Sequence, residues 1–162
     1  MVRTWAPRGK TPWLPVAGHW TKISAISALG VSPKRRRLAL YVRFHPEKNI
    51  RAPEVAQFLR HLLRHIRGPV VLLWDRGRPH RARSIQRLLA RHRRLHPYPF
   101  PGYAPELNPD EFVWTKLKRA VANSVPADVG HLKRLLQPAV QRLRRSQQLL
   151  WSCIHASELP WP

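Results

Sequence analysis

The apolar residues change period between Leu38 and Trp74, and that change fixes most of what the chain can fold into. From Arg37 to Phe44 they alternate, so Leu38, Leu40, Val42 and Phe44 share one face, the pattern of a half-buried strand. Thr21 to Val31 is β-leaning, with Gly30 at its end. The basic tetrad Lys34-Arg35-Arg36-Arg37 then falls in the turn of a hairpin, as a solvated turn or a phosphate contact. From Ala52 the period is helical: Val55, Phe58, Leu59, Leu62, Leu63 and Ile66 line one face, with Pro53 near the start and Gly68-Pro69 as the stop. The next run, Val70-Val71-Leu72-Leu73-Trp74, is short and continuously apolar. Following a helix, it predicts a strand buried on both faces.

Ser84 to His92 predicts a second helix with Ile85, Leu88 and Leu89 inward. A short strand over Leu95 to Phe100 carries Pro97 and Pro99, which place it at an edge. Asn108-Pro109-Asp110-Glu111 is a well-formed helix start: Asn108 caps, Pro109 takes the first position and two acids follow. That helix is expected to reach Asn123. Leu132, Leu135, Leu136, Ala139, Val140 and Leu143 recur at helical spacing, and Pro138 among them predicts a kink or two helices. Residues 1–20 are rich in Pro, Gly, Trp and basic side chains and read as an irregular arm. No repeat or boundary interrupts the chain. The order β-β-α-β-α-β-α-α predicts one α/β domain whose sheet has antiparallel and parallel parts.

Charge bears on function. Thirty Lys and Arg stand against eight acids, a formal net charge of +22. Such a balance predicts a polyanionic partner, most simply nucleic acid, bound with strong salt dependence. In that background two acids have unusual settings. Asp75 ends the apolar run, at the carboxyl end of a strand, where open α/β sheets place their ligands. Glu111 lies at the start of a helix, with 35 residues between the two (111 − 75 − 1). Paired carboxylates can hold Mg²⁺, which takes few protein oxygens plus water and phosphate. That chemistry suits in-line displacement at a phosphodiester.

Blander roles stand beside these. Glu111 is three residues after Asn108 and could complete a capping box. Asp75 could pair with Arg76 or Arg78 as a loop acid. His80 could be an ordinary hydrogen-bonding loop residue. Lys116, Lys118 and Arg119 form either a solvated helix face or a phosphate-positioning set. Tyr103 and Trp114 read more readily as core than as stacking platforms. His45, His61, His65, His92 and His96 lack the cysteine company of a zinc site. Cys153 is the single cysteine, so no internal disulfide forms, which fits a reducing cytosol. No apolar run approaches the ~18–20 residues of a membrane span, and the N-terminus has no signal-peptide core. The expectation is a soluble, cytoplasmic protein close to DNA, with no membrane partner.

Three blocks carry a family resemblance. They are Arg3-Thr4-Trp5-Ala6-Pro7-Arg8-Gly9-Lys10-Thr11-Pro12; Val70 to Asp75 with His80-Arg81; and Tyr103-Ala104-Pro105-Glu106-Leu107-Asn108-Pro109-Asp110-Glu111-Phe112-Val113-Trp114 with Leu117-Lys118. Together they resemble transposases of the insertion-sequence 630 family, within the Tc/mariner superfamily. The resemblance implies a ribonuclease-H-like mixed sheet flanked by helices, with C-terminal helices and a DDE acid triad. It makes Asp75 the second acid and Glu111 the third, both catalytic and both ligands of Mg²⁺ or Mn²⁺. It also implies DNA strand cleavage and transfer, with transposon ends and target DNA as partners and a homodimer pairing two ends. Arg76, Arg78, His80, Lys116, Lys118 and Arg119 become candidate DNA contacts.

Two departures matter. The family's second block often has Asn after its Asp, where this chain has Arg76. Its first Asp belongs upstream of Arg3, yet no acid precedes Glu47. The expectation is therefore a single N-terminally truncated catalytic domain over 1–162, lacking the first, central strand and completed by an upstream-encoded segment. Two other readings stay open. One is a non-catalytic basic DNA-binding remnant or regulator of transposition. The other is an unrelated ribonuclease-H-like nuclease whose third acid is Glu47, Glu54 or Asp110, although Asp110 points about 100° away from Glu111 on a helix.

Overall fold

The structure is a computed structural model, and it describes residues 7–10 and 22–160. Most of the Arg3–Pro12 block lies outside those residues. The alternating segment and its predecessor form an antiparallel hairpin, β1 (Ile23–Val31) and β2 (Leu38–Pro46), with Ile23 opposite Pro46 and Val31 opposite Leu38. Its basic turn is held by Ser32, whose Oγ accepts the Arg36 and Arg37 amides at 3.1 and 3.0 Å. Arg35 there takes a left-handed φ of 52°.

The hairpin is a wall between two apolar clusters. Leu38, Leu40, Val42 and Phe44 face one of them, together with Ile23, Leu29 and Val31. Ile26, Ala28 and Tyr41 face the other. The outer edge of β2 is closed by side chains. Gln147 accepts the Leu38 amide at 2.7 Å and donates to the Leu38 carbonyl at 2.9 Å, while Arg144 Nε donates to the Leu40 carbonyl at 3.0 Å.

Helix α1 (Ala52–His65) buries Val55, Phe58, Leu59 and Leu62, as its period predicts. Its first turn is closed by Glu54, whose Oε2 accepts the Arg51 amide at 3.0 Å. Its far end is closed by Arg94, which donates to the carbonyls of Ile66 at 2.6 Å, Gly68 at 2.9 Å and Leu63. Strands β3 (Val70–Trp74) and β4 (Leu95–Pro99) pair in parallel, Val70 beside Leu95 and Trp74 beside Pro99. Helix α2 (Arg83–Arg91) joins them and buries Ile85 and Leu88. A parallel pair needs such a crossover.

The expectation that β3 is buried on both faces fails. Val70, Leu72 and Trp74 pack into the α1–α2 cluster, but Val71 is 67% exposed and Leu73 45%. Helices α1 and α2 cover one side of the strand, and nothing among the described residues covers the other.

Helix α3 (Pro109–Val121) begins on Asn108, whose side chain accepts the Asp110 amide at 3.1 Å. It ends two residues short of Asn123. Helix α4 (Val129–Arg145) starts on Asp128 and runs through Pro138 without interruption. The break falls instead at Ser146, which is extended and caps α5 (Gln147–Ala156) by accepting the Leu149 amide at 3.2 Å. An interior proline costs about 3 kcal/mol or more. Pro138 is exposed, and Leu136, Val140 and Leu143 anchor the helix on both sides of it. No helix among the described residues is long and apolar enough to cross a membrane.

Candidate active site

Asp75 leaves the carboxyl end of β3. The Phe100 amide donates to the Trp74 carbonyl at 2.8 Å, and Arg76 Nε donates to the Phe100 carbonyl at 3.0 Å. Arg76 thus staples the ends of β3 and β4, a role its sequence gave no sign of. The Asp75 carboxylate is 68% exposed and held through one oxygen. Oδ1 accepts the Gly77 amide at 2.8 Å and lies 3.2 Å from His80 Nε2. His80, only 20% exposed, sits in a 3₁₀ turn over Arg78–Arg81, with its ring edge-on to Trp74 at 4.4 Å. Burial lowers its pKa, against the opposing pull of Asp75. Its Nδ1 is enclosed with no hydrogen-bond partner among the described residues. Gly77 is required here: a Cβ would lie 2.9 Å from Asp75 Oδ1 and 2.9 Å from His80 Cδ2. Asp75 Oδ2 has no protein partner among the described residues.

Glu111 stands in the first turn of α3, with ten residues between it and Phe100, the residue that follows β4. The capping-box alternative is not realised. The Asn108 amide donates to the Pro105 carbonyl at 3.0 Å, and the exposed Glu111 carboxylate is left without a partner among the described residues. Its neighbour sets this orientation. The Asp110 carboxylate is enclosed although the residue as a whole is half-buried, and it accepts a hydrogen bond from Ser27 of β1. Desolvation raises its pKa to about 6, opposed by the hydrogen bonds from Ser27 and Trp114 and assisted by the charge of Glu111. With Asp110 anchored inward, the next side chain, about 100° around the helix, points out.

The other predicted residues divide. Lys118 follows Glu111 by two helical turns and shares its face, about 10 Å along the axis. Arg119 and Arg78 are exposed. Lys116 is half-buried and sits close enough to Cys153 that its charge opposes the burial raising that thiol's pKa. Trp114 packs against the core. Tyr103 does not: it is 106% exposed, with a left-handed φ of 56°, because it rides the loop between β4 and α3. Among other acids, Glu54 is committed to its helix cap and Asp110 is enclosed. No three His, Cys, Asp or Glu side chains converge among the described residues. Asp75 and Glu111 are each, taken singly, a hard oxygen donor of the kind a hard divalent cation takes.

The profile of one family, DDE superfamily endonuclease, matches residues 2–133. The chain belongs to that family. The fold of this DDE endonuclease chain is similar to the crystal structure of the catalytic domain of Mos1 mariner transposase, with TM-score 0.58 and 18% identity over 82% of this chain and 74% of that one. It is also similar to the Mos1 strand transfer complex, with TM-score 0.65 and 16% identity over 95% of this chain and 45% of that one. The Mos1 mariner paired end complex with Mn gives TM-score 0.66 and 18% identity over 95% and 46%. The DDE endonuclease chain thus has the mixed α/β, ribonuclease-H-like fold of a mariner catalytic domain. It spans less than half of the transposase chains in those two complexes. No curated protein matches it.

Proposed function

We propose that this chain is the greater part of one catalytic domain, over 1–162, of a DNA transposase of the insertion-sequence 630 group. It would cleave and transfer DNA strands with Asp75 and Glu111 as two of three metal-binding acids. The observation that carries the reading is the exposed Asp75 carboxylate at the carboxyl end of β3, with one oxygen uncommitted, in a chain of the DDE endonuclease family. Solved structures of the Mos1 transposase catalytic domain with Mn and with Mg support a divalent cation. When bound, Mg²⁺ or Mn²⁺ would activate the attacking water or 3′-hydroxyl and neutralise the leaving oxygen. The chain's own residues prepare that step. Gly77 and His80 fix Oδ1 of Asp75, which leaves Oδ2 for a ligand. Asp110 turns Glu111 outward, and Lys118 on the same face suits a phosphate. Transposon ends and target DNA are the proposed partners, bound by a homodimer in the cytoplasm, at the nucleoid.

The third acid belongs to a strand outside 1–162 that fits between β1 and β3. Three features support this. The β1–β2 and β3–β4 pairs pack on the same α1–α2 layer without hydrogen bonding to each other. The β2 edge is closed by Gln147 and Arg144. Among the described residues β3 is hydrogen-bonded on one edge alone, to β4. The test is Mn²⁺-dependent cleavage of terminal DNA by this chain joined to its upstream coding segment. Cleavage that disappears in both Asp75→Ala and Glu111→Ala, with DNA affinity kept, is the expected result. Cleavage indifferent to both substitutions would overturn the reading. A second reading, a non-catalytic DNA-binding regulator, draws on the lack of three converging donors among the described residues. It predicts no cleavage in any context and full DNA affinity in Asp75→Ala.

A further inference from the structure

Helices α1 and α2 enclose an open cleft of about 250 Å³, lined by Arg60, Ser84, Arg87, Leu88, Arg91 and His92. No carboxylate lines it. Arg60, Arg87 and Arg91 are exposed, and none has a hydrogen-bond or ion-pair partner among the described residues. Other arginines of this molecule do have structural work. Arg94 closes the end of α1, Arg76 staples β3 to β4, and Arg144 covers the edge of β2. The cleft arginines do none of this.

Their spacing is unfavourable to the helix that carries them. Arg83, Arg87 and Arg91 stand at i, i+4 and i+8 on α2, and like charges at that spacing repel. No acid in the first turn of α2 offsets them. A column of cations held in one row, joined across the cleft by Arg60 and with the Ser84 hydroxyl beside it, matches the donors that bind phosphate oxygens. The column has a direction. Arg83 follows directly on the turn whose His80 contacts Asp75, and the ladder runs about 12 Å from there along the helix.

We infer that the α1–α2 cleft is a second docking site for the phosphodiester backbone of DNA, independent of base sequence. It holds the duplex that continues away from the Asp75 end of the molecule. The identity of the polyanion as DNA rests on the proposed function; the site itself rests on the cleft.

The experiment is fluorescence-anisotropy titration of residues 1–162 with several 30-base-pair duplexes of unrelated sequence, over a range of salt. Arg60→Ala/Arg87→Ala/Arg91→Ala is compared with a charge-matched control, Arg134→Ala/Arg142→Ala/Arg145→Ala on α4. The cleft variant should bind every duplex roughly 100-fold more weakly at 0.1 M salt, with the log–log salt slope reduced by about 2–3. The control should stay within about threefold of the parent protein. Circular dichroism melts of both variants should match the parent, since all six side chains are exposed. Equal losses in the two variants would mean diffuse charge and overturn the site. So would failure of the parent protein to bind duplex at all. Pyrophosphate binding at the cleft as tightly as duplex would make it a small-anion site, and tighter binding of an RNA hairpin would replace DNA as its partner. Asp75→Ala, run in parallel, should bind DNA like the parent, so failure at the acids and failure at the cleft read out separately.

Discussion

Gly77 is where backbone and chemistry meet most closely. Its amide holds Asp75 Oδ1, and there is no room for a methyl group between that oxygen and the His80 ring. Gly77→Ala should therefore displace the Asp75–His80 pair and lower Mn²⁺ affinity by about 10–100-fold, as loss of a supporting contact does. Isothermal titration calorimetry with Mn²⁺ checks it, and unchanged affinity would remove Gly77 from the site. Asp110 offers a pH test. Its folded pKa is raised from 3.8 to about 6, chiefly by desolvation. The raised value favours folding below the unfolded pKa, and that contribution is lost as pH rises through about 6. In EDTA, the stability difference between the parent protein and Asp110→Asn should fall by roughly 3 kcal/mol between pH 3.5 and pH 7.5. Urea titrations at several pH values measure it. A flat difference would mean that water reaches the carboxylate.

At the scale of elements, each α-helix stands on buried residues, and α3, α4 and α5 also start on a side-chain cap whereas α2 does not. Leu117 of α3 and Ile85 of α2 are fully buried in different clusters. Leu117→Ala and Ile85→Ala should each cost about 2–5 kcal/mol in chemical denaturation. Asp128→Ala removes the cap at the His131 amide and should cost about 1 kcal/mol. What the sequence could reveal of these elements followed from local rules. The alternation Leu38–Phe44, the stripe Val55–Leu62 and the cap at Asn108 are short-range patterns, and each marks its element within a few residues. What it hid was long-range. An apolar run reads the same whether one face is covered or two, so the bare Val71 and Leu73 were not legible. Ser27 and Asp110 meet across 83 positions, and that contact, invisible locally, turns Glu111 outward. The chain also breaks at Ser146 and not at Pro138, because packing on both sides of the proline outweighs its missing amide.

At the scale of the whole molecule, β2 is closed at its outer edge, while β1 and β3 each have a strand edge with no hydrogen-bonded strand among the described residues. Unpaired edges invite pairing with other chains. Residues 1–162 alone should therefore self-associate as concentration rises, and a chain that carries the proposed additional strand should melt higher and associate less. Analytical ultracentrifugation with a parallel melt tests both, and a monodisperse, equally stable isolated chain would leave no place for a further strand. The hairpin wall has one more consequence. Asp75 grows from β3, rooted in the cluster under α1 and α2, whereas Glu111 grows from α3, rooted in the cluster on the far side of the hairpin. A cation shared by these two acids is then a clasp across a seam. If the proposed ion is shared in this way, hydrogen exchange should slow along both banks of that seam when Mn²⁺ is added, and the ion would then also set how far the two halves can breathe.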